Sequence, residues 1–180
     1  MCLRPVLVLL LVLLPGAHAA DASLSLTRAT IPELQAALAA GTVDAERLVT
    51  LGLARIDADD RAWPELGAVL TVDPRALEQA RALDAERRHS GPRSPLHGIP
   101  VLLKDHLDTA DLPTTTGSFL LAESVPPDDA ALVRRLRNAG AIVRAKVNLS
   151  EFASGGPKSS RGGPTRNPHD PTRTPSGSSG

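Results

Sequence analysis

Aromatic side chains are nearly missing from this chain: Trp63, Phe119 and Phe152 are the whole set, and there is no tyrosine. A core without rings must be filled by Ala, Leu, Val and Ile, which suits helices packed over a sheet better than a small barrel pinned by aromatics. Cysteine is just as scarce. Cys2 stands alone, without the residues of a lipoprotein box before it, in a segment expected to be removed. That leaves neither a disulfide nor a thiol nucleophile. Charge of either sign is not in excess, since 20 Lys and Arg face 20 Asp and Glu. The balance gives no reason to expect a nucleic acid or an acidic partner. His89, His97, His106 and His169 contain no pair at i and i+4, so no metal is implied, and nothing calls for a cofactor.

Long hydrophobic runs are also lacking, with one short exception. Val6 to Leu14 is unbroken and apolar, yet it is less than half of the ~20 residues a membrane-spanning helix needs. Arg4 precedes it, and Pro15-Gly16 leads into Ala17-His18-Ala19, the small-x-small pattern of a secretory cleavage site. Residues 1–19 are therefore expected to be a signal peptide, giving a secreted or periplasmic protein with no stable membrane anchor after cleavage.

What is present alternates between helix and strand signals. Thr30-Ile31-Pro32-Glu33 combines an N-cap, an early proline and a capping-box glutamate, and Gly41 closes that first helix. A second helix is expected from about Asp44 to Ala58, with Leu48, Leu51 and Ile56 on one face. Leu66 to Val72 reads as a strand. Asp73-Pro74 then caps a third helix, with Ala76, Leu77, Ala80 and Leu83 inward and the charges of Asp84 to Arg88 outward. Later, Asp128 and Asp129 begin a helix carrying Ala130, Leu132, Val133 and Leu136, stopped by Gly140, and Ala141 to Val147 returns as a strand. Arg134, Arg135 and Arg137 on that helix read as a solvated face. The class is α/β, a mixed β-sheet core covered by helices.

Two stretches stand out. In His97-Gly98-Ile99-Pro100-Val101-Leu102-Leu103-Lys104-Asp105, Ile99 to Leu103 reads as a strand buried on both faces, and Lys104 falls where it surfaces. An ammonium at the mouth of a buried strand is partly stripped of water, which favours a neutral amine able to take a proton. A strand-end lysine pointing into solvent beside Asp105 fits the same residues. The second stretch, Ser154 to Gly180, is dominated by Gly, Pro, Ser and Thr, the composition of a flexible linker. Against that, Asn167-Pro168, Pro171 and Pro175 stiffen the backbone, and the glycines around Ser178-Ser179 permit close approach, as in an ordered loop lining a site. No Gly-Lys-Ser/Thr ending marks it as a phosphate-binding loop.

Pro95 to Asp105 and Asn167 to Gly180, together with Asp108-Thr109-Ala110, Pro113-Thr114-Thr115 and Asn148-Leu149-Ser150-Glu151-Phe152-Ala153, resemble the amidase signature family. Fatty-acid amide hydrolases, bacterial amidases and the amidase subunit of glutamyl-tRNA amidotransferase belong to it. The resemblance implies one long domain built round a single mixed sheet, with residues 20–180 as its N-terminal part, incomplete at the C-terminus. It also implies a serine hydrolase that uses no histidine. Lys104 falls on the family's base and Ser178 on its relay serine, which follows a cis peptide bond; a neutral lysine working through a hydroxyl can activate a weak serine nucleophile. By the family pattern that nucleophile lies about two dozen residues beyond Ser178, in a glycine-rich turn that also forms the oxyanion hole. Ser154, Gly155 and Gly156 fall in the region that binds substrate.

The expected function is thus the N-terminal portion of an exported amidase that cleaves a small-molecule amide through an acyl-serine, inactive as these 180 residues alone. The alternative is a non-catalytic remnant that binds a ligand or partner. An export signal argues against the tRNA-linked branch. Two departures from the family pattern stand near the site: Ser176 replaces a frequent glycine, and His106 a frequent asparagine or apolar residue.

Overall fold

The computed structural model describes residues 28–62 and 65–179. The expected signal peptide, Cys2, Trp63 and Gly180 lie outside the described residues. Helix α1 (Ile31–Ala40) begins where its capping box predicts. Thr30 accepts from the Glu33 N–H, the Glu33 carboxylate accepts from the Thr30 N–H, and Gly41 ends the helix at φ 68. Helix α2 (Ala45–Arg55) is capped by Asp44 and runs on as a π-helical turn, Ile56–Arg61, past the expected end at Ala58. Strand β1 (Val69–Val72) starts three residues later than expected. The buried Asp60 carboxylate accepts from the N–H groups of Ala68 and Val69, and so ties the preceding residues to the π-helical turn.

Helix α3 (Ala76–Ser90) follows a turn in which Asp73 accepts from the Arg75 N–H. Then come β2 (Pro100–Lys104), α4 (Ala131–Asn138) and β3 (Ile142–Val147). The sheet order is β1-β3-β2, with β2 parallel and β1 antiparallel to β3. The β2-α4-β3 passage is the crossover that parallel pairing demands. Opposite Val101 and Leu102, β3 carries one extra residue, Arg144, because Val101 pairs with Val143 and Leu102 with Ala145. A small hairpin, β4 (Lys158–Ser159) and β5 (Gly163–Pro164), follows.

The core has two layers, one on each face of β3. On one side Ile142 packs with Ala45 and Val49 of α2 and with Ala76, Ala80 and Leu83 of α3. On the other, Val143 and Leu103 pack with Val133 of α4 and Leu112. A third cluster joins Leu38, Leu48 and Ile99. Each valine, leucine or isoleucine among them taken wholly out of water contributes roughly 1.5–3 kcal/mol.

Several expectations need correction. β2 is not buried on both faces: β3 is its only partner among the described residues, and Leu102 is 45% exposed. Asp84 does not face solvent but is buried, accepting the N–H groups of Ala45 and Glu46. Leu132 does not face inward; it is exposed. Asp128 and Asp129 do not cap α4, which starts at Ala131 without a side-chain cap. Asp129 instead accepts from the Ala110 N–H and pairs with Arg137, which is also bonded to Asp111 and so is not simply solvated.

Candidate active site

Lys104 ends β2, and its ammonium donates to the Ser178 hydroxyl at 2.7 Å. The two groups are separated by 74 positions in sequence, so only the fold brings them together. The terminal stretch is an ordered loop rather than a linker. The Ser150 N–H donates to the Ser178 carbonyl at 3.0 Å, and Leu149 and Ser179 form an antiparallel bridge. The Gly177–Ser178 peptide bond is cis. Gly177 admits no side chain, since a Cβ there would come within 2.6 Å of the Ser150 hydroxyl and 3.3 Å of the Gly155 carbonyl. Ser176 sits at φ 73, a left-handed backbone that glycine adopts freely and serine does not.

The segment after β3 supplies the platform for this loop. Asn148 is buried and spends all of its amide: its nitrogen donates to the carbonyls of Gly67 and Gly163, and its oxygen accepts from the Leu149 N–H and the Ser159 hydroxyl. Phe152 and Ala153 both take left-handed conformations, at φ 51 and 57, and turn the chain sharply. Glu151 accepts from the Ser160 N–H and hydroxyl, and these bonds hold its carboxyl below the ordinary value.

Ser154, Gly155 and Gly156 are exposed and, with Glu151, Lys158, Ser159 and Ser160, line a shallow cavity of about 390 Å³. The Gly155 carbonyl accepts from the Ser150 hydroxyl, and Gly155 and Gly156 lie beside Gly177. The structure therefore brings all five residues singled out in the sequence to one region. His106 is exposed, on the turn after β2. His97 is fully buried, with Nε2–H donating to the Leu83 carbonyl and Nδ1 accepting from the Arg93 N–H, so both ring nitrogens are spent on structure. Among the described residues no group of three or more His, Cys, Asp and Glu side chains is placed to hold a metal ion.

One constellation was missed in the sequence. Asp105, directly after Lys104, is 1% exposed and pairs at 3.1 Å with Lys146 of β3, which is wholly buried. The other Asp105 oxygen accepts from both the N–H and the hydroxyl of Thr115. Lys146 also donates to Thr109, Thr114 and the Pro113 carbonyl. Burial pushes the Lys146 ammonium below its ordinary range, and Asp105 opposes that shift. The available signal was a lysine inside an otherwise mostly apolar strand, a position that calls for a partner once the strand is buried.

A mixed sheet flanked by helices, with a lysine at a strand end bonded to a serine in a glycine-rich loop, defines the class of protein. Comparison then supplies the family. The amidase family model matches residues 47–180, and the chain belongs to that family. It is 45% identical over 159 residues to a glutamyl-tRNA(Gln) amidotransferase subunit of Myxococcus xanthus, covering 87% of this chain and 32% of that protein. Among solved structures, the native peptide amidase of Stenotrophomonas maltophilia matches with a TM-score of 0.81 at 47% identity, over 84% of this chain and 32% of its own. An amidase family protein of Bacillus anthracis matches with a TM-score of 0.82 at 36% identity, over 86% of this chain and 32% of its own. The chain thus spans about a third of the length of these relatives.

Proposed function

We propose that this chain carries the base and the relay hydroxyl of an exported serine amidase that hydrolyses amide bonds of peptides through an acyl-serine. The observation that carries the reading is the 2.7 Å bond between Lys104 and Ser178. In its neutral form, Lys104 takes the Ser178 proton as Ser178 takes the proton of a nucleophilic serine; the resulting alkoxide attacks the amide carbonyl. The proton then returns along the same path to the departing amine. By the family pattern, the nucleophile and the oxyanion hole lie beyond Gly180. Ser154, Gly155 and Gly156, beside the relay serine, would meet the substrate.

A peptide amide as substrate is supported by the 47% identity to a peptide amidase. Export is supported by the leader pattern of residues 1–19. The 45% identity to one component of an amidotransferase supports a second reading, an amide-cleaving component of a larger assembly. The test uses the complete polypeptide that includes the nucleophile. Lys104→Ala and Ser178→Ala are each expected to lower kcat/KM on a peptide amide by about 10²–10⁴, with melting temperature held. Unchanged turnover in either variant overturns the assignment. Hydrolysis by residues 20–180 alone, abolished by Ser178→Ala, overturns the placement of the nucleophile.

A further inference from the structure

Beside Pro100 and Leu102, at the end of β2 remote from Lys104, lies an open apolar groove of about 380 Å³ lined by Leu34, Leu48, Leu51, Ile56 and Leu102. Arg144 also lines it. This arginine is the extra residue of the β3 irregularity, a device that re-aims a side chain. Its guanidinium reaches α2 at Gly52, where a Cβ would fall 1.4 Å from Nη1. Glycine in mid-helix costs about 0.5–1 kcal/mol relative to alanine, so the helix gives up stability at the one position where the arginine needs room.

Yet the Arg144 side chain has no partner among the described residues, and its Nε is buried without a hydrogen bond. The groove's own carboxylates are already engaged. Asp59 pairs with Arg55 at 3.3 Å, and Asp60 accepts the N–H groups of Ala68 and Val69. Burial holds the Arg144 guanidinium below its ordinary range, and the like charge of nearby Arg55 adds to that. A cation so placed, beside apolar walls and an edge of β2 that is unpaired among the described residues, is complementary to a carboxylate that arrives on an apolar segment.

We propose that this groove seats an apolar segment bearing an Asp or Glu side chain, contributed by the part of the amidase unit that this chain does not span, with the carboxylate paired to Arg144. The occupant follows from three observations: charge complementarity, the adjoining open edge of β2, and relatives of which this chain covers 32%. The proposal rests on reading the chain as part of a larger amidase unit, but not on any assignment of catalytic residues.

Its test is made on the full-length gene product carrying Arg144→Lys, treated with a zero-length carbodiimide that joins an amine to a carboxylate in contact. Proteolysis and mass spectrometry are expected to find position 144 coupled to an Asp or Glu beyond residue 180. In the unsubstituted protein, phenylglyoxal is expected to modify exposed Arg88 and spare Arg144. Coupling to Asp21, Asp59 or Asp60, absence of coupling at position 144, phenylglyoxal labelling of Arg144 as fast as Arg88, or a gene product that ends at Gly180 overturns the proposal. The crosslink is read whether or not the enzyme turns over, so its failure is distinct from failure of the Lys104 and Ser178 assignment.

Discussion

Lys146 and Asp105 are almost wholly buried together, and neither can lose the other cheaply. Removing one member of a buried ion pair leaves an uncompensated charge, which costs about 3–5 kcal/mol. Lys146→Met keeps the length of the side chain and leaves Asp105 buried, so urea denaturation should show a loss of that size. Adding Asp105→Asn should recover part of it, because the stranded charge is gone. A single variant as stable as the parent would mean that water or rearrangement satisfies Asp105. The pair also has a bearing on the site. Asp105 follows Lys104, accepts from Thr115, and through its own backbone receives the Thr116 N–H and donates to the Val147 carbonyl. The strand end that presents Lys104 is therefore fixed by four groups rather than left to fray.

Helix ends show which parts of an element are local. The capping box of α1 needs only residues within a few positions of one another, and it formed as the Thr30-to-Glu33 pattern predicts. The start of α2 is different. Asp44 caps it from the chain, but the Ala45 and Glu46 N–H groups are received by Asp84, which comes from α3. A carboxylate at the start of a charged run looks outward in a helical projection, and only the packing of α3 on α2 shows where it points. Asp84→Ala should destabilise the protein by roughly 2 kcal/mol, the cost of two charge-assisted bonds to a helix N-terminus, measured as a lowered denaturation midpoint. Asp84→Asn, which keeps one acceptor, should lie between the two. Equal stability of all three proteins would show that the cap carries no weight.

Across the whole molecule the charges balance in number, but the acidic groups are held more tightly than in an unfolded chain. Hydrogen bonds from Thr30, Arg81, Arg93 and Ser160 lower the carboxyls of Glu33, Glu46, Glu86 and Glu151 from the ordinary 4.5. The folded form therefore binds protons less readily than the unfolded one. Their stabilisation is complete above pH 4.5 and is lost as pH falls through the depressed values. Melting temperature should decline steadily from pH 5 to pH 3, and less steeply in high salt, where the arginine-linked part is screened. A flat profile over that range would contradict it.

Residue order alone determined what short-range chemistry can determine. The helix α1 with its box and glycine stop, the helical runs near residues 45, 76 and 131, the β2 and β3 strands, and the likeness to amidases were all legible, because caps, periodicity and ordered motifs act over a few residues. Tertiary structure decided everything that depends on a distant neighbour. It set the exposure of Leu102 at a sheet edge, turned Asp84 inward, buried Lys146 against Asp105, and closed the 2.7 Å contact between Lys104 and Ser178. Burial and hydrogen bonding between residues dozens of positions apart depend on which surfaces meet, and no local pattern of side chains states that.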